Sequence, residues 1–175
     1  MSDIVREVVI RTATPEDVDA VVAVGHGTWP ATYEPIAGAD YVAMGLAKWW
    51  SRDACLRTIE QGRTTVATVD GSVVAVAVAG PLEGDLVLWK LYVLPAYQGL
   101  RIGHRLIESV IGAATTDGYP RIRLSHIDGN EKAHRFYLGH GFVDDRRETE
   151  GRGIPDAMWM VRDLPTGDHP KGELP

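Results

Sequence analysis

The segment Gln98-Gly99-Leu100-Arg101-Ile102-Gly103-His104 lies between an apolar run stopped by Pro95 and a stretch whose apolar residues, Ile102, Leu106, Val110 and Ala113, recur at helical spacing. A chain can bind phosphate at such a place. Backbone N–H groups at a helix start point outward together, and the helix dipole adds about half a positive charge, so a pyrophosphate can sit on the turn. Gly99 and Gly103 let the backbone approach the oxygens without a Cβ in the way, and Arg101 can add a charge-assisted contact. A glycine pair before a helix is more often a turn and cap than a binding site, so its context matters. The dinucleotide pattern GxGxxG and the phosphate loop GxxxxGK followed by Ser or Thr are both absent, which leaves a different class of phosphate binder.

Several elements must position that loop. A short strand is expected at Val8–Arg11. A helix should start at Thr14-Pro15-Glu16-Asp17, with a hydroxyl cap, a proline in the first turn and acids behind it, and run to about Ala23. Gly25–Gly38 reads as a Gly-, Trp- and Pro-containing connection, and Asp40–Glu60 as a second helix carrying Trp49 and Trp50. Thr64–Val69 and Ser72–Ala79 are β-branched runs joined by Asp70-Gly71, the dipeptide of a type I′ hairpin. Gly80-Pro81 predicts a break before a fourth strand, Leu86–Val93, which feeds the phosphate loop. Gly118 and Pro120 stop the following helix, and Arg121–Ile127 alternates as a fifth strand. Asp128-Gly129-Asn130 caps a short helix, Glu131–Leu138, closed by Gly139 and Gly141. Phe142–Glu148 and Ala157–Arg162 complete the strands.

A chain of 175 residues suits one core, so residues 1–163 read as one domain and the proline-rich residues 164–175 as a loose tail. Hydrophobic residues at 45% and charged residues at 24% exclude a disordered or fibrous chain. No uncharged apolar stretch has membrane-spanning length, and the first residues lack a signal-peptide core, which predicts a cytoplasmic protein. The lone Cys55 has no partner for a disulfide or for a cysteine metal site, and reads as a buried helix residue. No metal is expected. A net charge of -6 argues against nucleic acid as a partner and biases steering toward a cationic small molecule.

Val93-Leu94-Pro95 followed by Gln98 through Gly103 resembles motif A of the GCN5-related N-acetyltransferase superfamily, Q/R-x-x-G-x-G/A after a strand ending in V-x-P. The departure is Arg101, where the motif has glycine; Gly99 is a candidate source of the lost backbone freedom. Asn130 through Phe142 is similar to motif B, N-x-x-A-x-x-F/Y-Y-x-x-x-G-F, and Asn130, Ala133, Phe136, Tyr137, Gly141 and Phe142 fill all its defined positions. The matched region covers residues 86–142. The resemblance implies an α/β (α+β) single-domain fold: a central mixed, mostly antiparallel sheet of six to seven strands, splayed between strands four and five, with about four flanking helices. It also implies acetyl-CoA as acetyl donor, a primary amine of a small molecule as acceptor, and direct transfer in a ternary complex.

Attack of an amine on a thioester expels a thiolate, which needs a proton. A tyrosine, with an ordinary pKa near 10 against about 8.5 for a cysteine-type thiol, is protonated at neutral pH and can supply one; within motif B that residue is Tyr137. By the same resemblance the Leu91 and Val93 backbone pairs with the pantetheine amides, the Val93 N–H stabilises the oxyanion, and Asn130 binds the pantetheine arm or backbone. Gln98, Gly99, Leu100, Arg101, Ile102, Gly103 and His104 hold the pyrophosphate. The base that takes the amine's proton is open among Glu83, Asp85, His126 and Glu34; His134 and His140 read as solvated helix residues. Trp29, Tyr33, Tyr41, Trp49 and Trp50 fall where the family builds its acceptor pocket, at least half of them expected in the core. A coenzyme A-binding module without turnover is the competing reading, resting on Arg101, and dimers are common for such folds.

Overall fold

Positive φ at Asp70 and Gly71 closes the predicted hairpin between β2 (Thr64–Val69) and β3 (Ser72–Leu82). The computed structural model describes residues 6–167. Around that hairpin, β1 (Val8–Thr12), β4 (Asp85–Val93), β5 (Arg121–Ile127), β6 (Val143–Glu148) and β7 (Ala157–Asp163) complete a seven-stranded sheet in the order β1-β2-β3-β4-β5-β7-β6. Every neighbouring pair is antiparallel except β4 and β5.

Helices cover both faces. The helix α4 (Ile102–Thr116) buries Ile102, Leu106, Ile107, Val110, Ile111 and Ala114 against the sheet, each large side chain contributing about 1.5–3 kcal/mol relative to exposure. The stripe passes through Ala114 rather than Ala113. Beside it, α5 (Glu131–Leu138) adds Tyr137 to the same core, with Ala133 and Phe136 partly buried against it. The opposite face carries α1 (Val18–Ala37), α2 (Ala39–Trp49) and α3 (Arg52–Glu60) over a second core built on Val66, Val76 and Val78. No described helix is long and apolar enough to cross a membrane.

Three local expectations are corrected. The stretch Gly25–Gly38 is no connection: α1 runs on to Ala37 through Pro30 and Pro35. Each proline removes one intrahelical donor, at a cost of about 3 kcal/mol, but Val21, Val24, Gly25, Thr28 and Trp29 are buried along one stripe, and that packing outweighs the loss. The second helix is two: the chain breaks at Trp50-Ser51, where Ser51 accepts a capping hydrogen bond from the Ala54 N–H at 3.2 Å. Finally, Gly80-Pro81 lies inside β3, with Pro81 opposite Leu86. The turn is Glu83-Gly84, both at positive φ. At the other end, Leu164 is buried and its N–H donates to the Pro120 carbonyl at 2.9 Å; residues 168–175 of the expected tail lie outside the described residues.

Candidate active site

The site begins where two parallel strands part. β4 pairs with β5 only from Leu86 to Leu88, opposite Ile122 to Leu124. At Trp89 the register against β3 slips by one residue, so β4 bends; Lys90–Val93 stay paired with β3 while Ser125–Ile127 pair with β7. The β4 edge that faces β5 is therefore unpaired from Trp89 onward, and its peptide groups border a cleft. The slip also keeps Leu91 and Val93 on the α4 face with Leu86 and Leu88, and turns Tyr92 to the opposite core.

The loop after β4 is open. A single 3-10 turn at Pro95–Tyr97 leads to Gly99 at φ 88° and Arg101 at φ 58°, ψ 22°. Arg101 itself takes the left-handed conformation that favours glycine, with its φ/ψ still in a region an arginine can enter. Arginine at the motif's glycine position is therefore no obstacle to an open loop, and the reading as a module without turnover loses its foothold. Arg101 caps α4 with no side-chain hydrogen bond, and no backbone N–H from Gly99 to His104 donates to a protein acceptor among the described residues. Six successive donors left unpaired beside a cleft make an anion cradle. Gln98 braces it: Nε2 donates to the Val93 carbonyl at 3.2 Å, and Oε1 accepts from the Lys132 ammonium at 2.8 Å.

The cleft encloses about 420 Å³. Leu91, Val93, Gln98, Gly99, Arg101, Ile102, Gly103, His104, Asn130 and Tyr137 line it; Leu100 does not, its side chain being 44% exposed to solvent. Tyr137 packs its ring against Phe136 and Phe142, and burial raises its phenol pKa, so the group stays protonated. Asn130 commits Oδ1 to capping α5, accepting from the Ala133 N–H at 3.3 Å. A Cβ on Gly103 would meet only ordinary contacts, with Phe136 at 3.5 Å and Val93 at 3.7 Å, so packing does not demand glycine there.

The base candidates separate cleanly. Asp85 is buried between Arg121 and Arg123 at the closed end of the parallel pair, Glu83 sits in the β3–β4 turn with Arg123, and Glu34 lies on the outer surface of α1. None of these three lines the cleft. His126 does. Its Nδ1 lies 3.1 Å from the Ile127 carbonyl, and its Nε2 is buried without a protein partner among the described residues. Its ring packs on His134, which bonds Asp144 at 2.8 Å and is therefore not merely solvated.

The family model described as the Acetyltransferase (GNAT) family matches residues 27–142. The chain belongs to this family. An uncharacterized N-acetyltransferase of Mycobacterium tuberculosis is 29% identical over 154 residues, covering 85% of this chain and 98% of that protein. The spermidine N(1)-acetyltransferase of Thermoplasma acidophilum is 23% identical over 143 residues, covering 78% and 89%. The crystal structure of the PaiA N-acetyltransferase of Thermoplasma acidophilum, in complex with coenzyme A, superimposes with a TM-score of 0.81 at 21% identity over 90% of this chain and 99% of that one. The protein is an acetyl-CoA-dependent N-acetyltransferase with the family's splayed seven-stranded sheet.

The far side of the acetyltransferase's cleft is aromatic. Tyr33 and Tyr92 share one hydrogen bond, their hydroxyls 2.7 Å apart; burial pushes Tyr33 up to about 12 and Tyr92 well above its ordinary value. Trp29, Tyr41 and Trp49 pack around them. Two glycines make this packing possible. A Cβ on Gly25 would fall 2.1 Å from the Trp50 ring, and one on Gly45 would fall 2.0 Å from the Trp29 ring. Lys90 stacks over Trp50 at 4.2 Å and donates to the Trp49 carbonyl, and burial lowers its pKa. Cys55 is buried and its thiol pKa is raised, which removes it as an acyl-carrying nucleophile. Sequence reasoning missed Thr28, Thr32, Lys90 and Lys132 as cleft residues. Lys132 had a signal, a cation in the first turn of the motif B helix; Thr28 and Thr32 depend on α1 continuing past Gly25, and Lys90 on the one-residue slip of β4 against β3.

Proposed function

We propose that this enzyme transfers acetyl directly from acetyl-CoA to the primary amine of a small molecule, with both held in the cleft at once. The observation that carries the reading is that one cleft joins the open cradle, the free β4 edge and the Tyr137 phenol. The cradle amides, with Arg101 and Lys132 beside them, hold the pyrophosphate. Backbone groups of Leu91 and Val93 pair with the pantetheine amides, and the Asn130 Nδ2, free of the cap, donates to the same arm.

His126 Nε2 accepts a proton from the incoming ammonium. The neutral nitrogen attacks the thioester carbon, and the Val93 N–H stabilises the oxyanion. The carbon–sulfur bond then breaks as the sulfur takes the Tyr137 proton; the second proton lost by the amine nitrogen passes through water to restore the phenol, His126 releases its own to solvent, and the neutral amide and coenzyme A leave. No Asp or Glu among the described residues lines the cleft, so the acceptor's body rests on aromatic faces rather than on carboxylates. In this the site differs from what a polycation would call for, although one relative is named for spermidine.

Thiol release from acetyl-CoA across a panel of amines tests the reading, with Tyr137→Phe and His126→Gln beside the wild type. Turnover should fall in both variants while coenzyme A affinity stays within about threefold. Release with none of the amines, or full turnover in Tyr137→Phe, would refute it.

A further inference from the structure

Outside the reaction centre, three donor groups converge on the rim of the same helices. His104 stands in the first turn of α4 and Glu108 one turn later on the same face. His140 follows α5 and comes in from the other side, its Nε2 only 2.9 Å from the His104 Nδ1. One donor atom from each of the three lies within 4.8 Å of the others.

We propose that His104, Glu108 and His140 form a site for a borderline divalent transition metal, such as Zn²⁺, that staples α4 to the end of α5. The orientation of His140 supports this beyond proximity. Its Nδ1 donates to the Phe136 carbonyl at 2.8 Å, which fixes the tautomer and leaves the Nε2 lone pair facing His104. A backbone carbonyl on the second ring nitrogen is the usual support of a metal-bound histidine. The guanidinium of Arg162 binds the His140 carbonyl, holding that residue's backbone in turn. Ring packing against Phe136 at 4.4 Å restricts it further.

Two nitrogens and one carboxylate match Zn²⁺, Co²⁺ or Ni²⁺ better than Mg²⁺ or Ca²⁺, which prefer oxygen. Donors at about 2.0–2.2 Å from a tetrahedral ion lie roughly 3.3 Å apart, so the rings need little displacement and Glu108, being exposed, is free to swing in. Water fills the fourth position. The cradle uses the His104 backbone N–H and the metal its side chain, so the two roles are compatible. The absence of cysteine pairs led the sequence reading to expect no metal; this site needs none, and the approach of His140 is purely tertiary.

Titration of Zn²⁺ into the metal-free full chain, followed by calorimetry, tests the proposal, with Co²⁺ absorption reporting nitrogen ligation. One equivalent should bind, Mg²⁺ should give no saturable heat, and Zn²⁺ should raise the melting temperature. Glu108→Gln, a surface change that leaves the fold intact, should weaken binding at least about 10-fold. His140→Ala, checked for folding by circular dichroism, should abolish both the binding and the thermal shift. No saturable binding, equal binding of Mg²⁺, or Zn²⁺ affinity unchanged in either variant would overturn the site.

Discussion

On the α4–α5 face of the sheet, what borders the cleft belongs to the backbone: amides from Gly99 to His104 without a protein acceptor among the described residues, and a strand edge left unpaired. On the α1–α3 face it belongs to side chains, with tryptophans and tyrosines interlocked through Gly25 and Gly45. Backbone donors are the same whatever the residue, so the first face can tolerate Arg101 in place of glycine once the left-handed conformation is met. Rings locked on glycines must shift to admit a single methyl group. The difference teaches that a short motif suffices for the backbone half, whereas the aromatic half is written in long-range packing.

The sharpest way to break the cofactor half is Tyr137→Phe, expected to lower kcat by about 10²- to 10⁴-fold with coenzyme A binding nearly unchanged, as steady-state kinetics and calorimetry would show. A related measurement uses pH. Burial raises the Tyr137 pKa, so deprotonation begins later than in a free phenol, and kcat should show no alkaline decline from this group between pH 7 and pH 10. A decline that Tyr137→Phe removes would count against the assignment.

On the other face, Gly25→Ala drives a Cβ into the Trp50 ring and should destabilise the protein by about 1–3 kcal/mol in urea unfolding. Whatever folds should still bind coenzyme A, since the cradle lies across the sheet; parallel loss of cofactor binding would deny the separation of the two halves. Tyr33→Phe leaves the Tyr92 hydroxyl unpaired and should cost about 1 kcal/mol, with KM for the amine rising more than KM for acetyl-CoA. The smallest effect is expected from Arg101→Gly. It relieves a left-handed arginine, worth about 1 kcal/mol or more, against about 0.4–1 kcal/mol of added chain entropy, so stability should rise slightly while coenzyme A binds a few-fold less tightly. Unchanged affinity would mean that the guanidinium does not reach the phosphates.

Much of the fold was legible because local rules and tertiary demands agree there. Asp70-Gly71 names its own turn, and Arg121–Ile127 and Ile102–Val110 show the strand and helix periods that the sheet and core then use. Reading failed where packing overruled local preference. Pro30 and Pro35 argue against helix, and only the buried stripe from Val21 to Trp29 keeps α1 intact. Pro81 argues against strand, yet β2 pairing ends at Val78, so Pro81 meets a neighbour on the β4 side alone, where Gly80 to Leu82 continue the ladder.

The sequence by itself determined the family and pointed to the Gln98–His104 turn and the Tyr137 phenol as candidates, because these rest on neighbouring residues whose spacing sets backbone conformation and helix face. Tertiary structure alone decided that Asp85 is tied up by two arginines while His126 opens into the cleft, and that His140 meets His104. A carboxylate or an imidazole is the same letter in either setting. What it can do depends on which groups the folded chain brings within a few ångströms, and that distance is not encoded in local spacing.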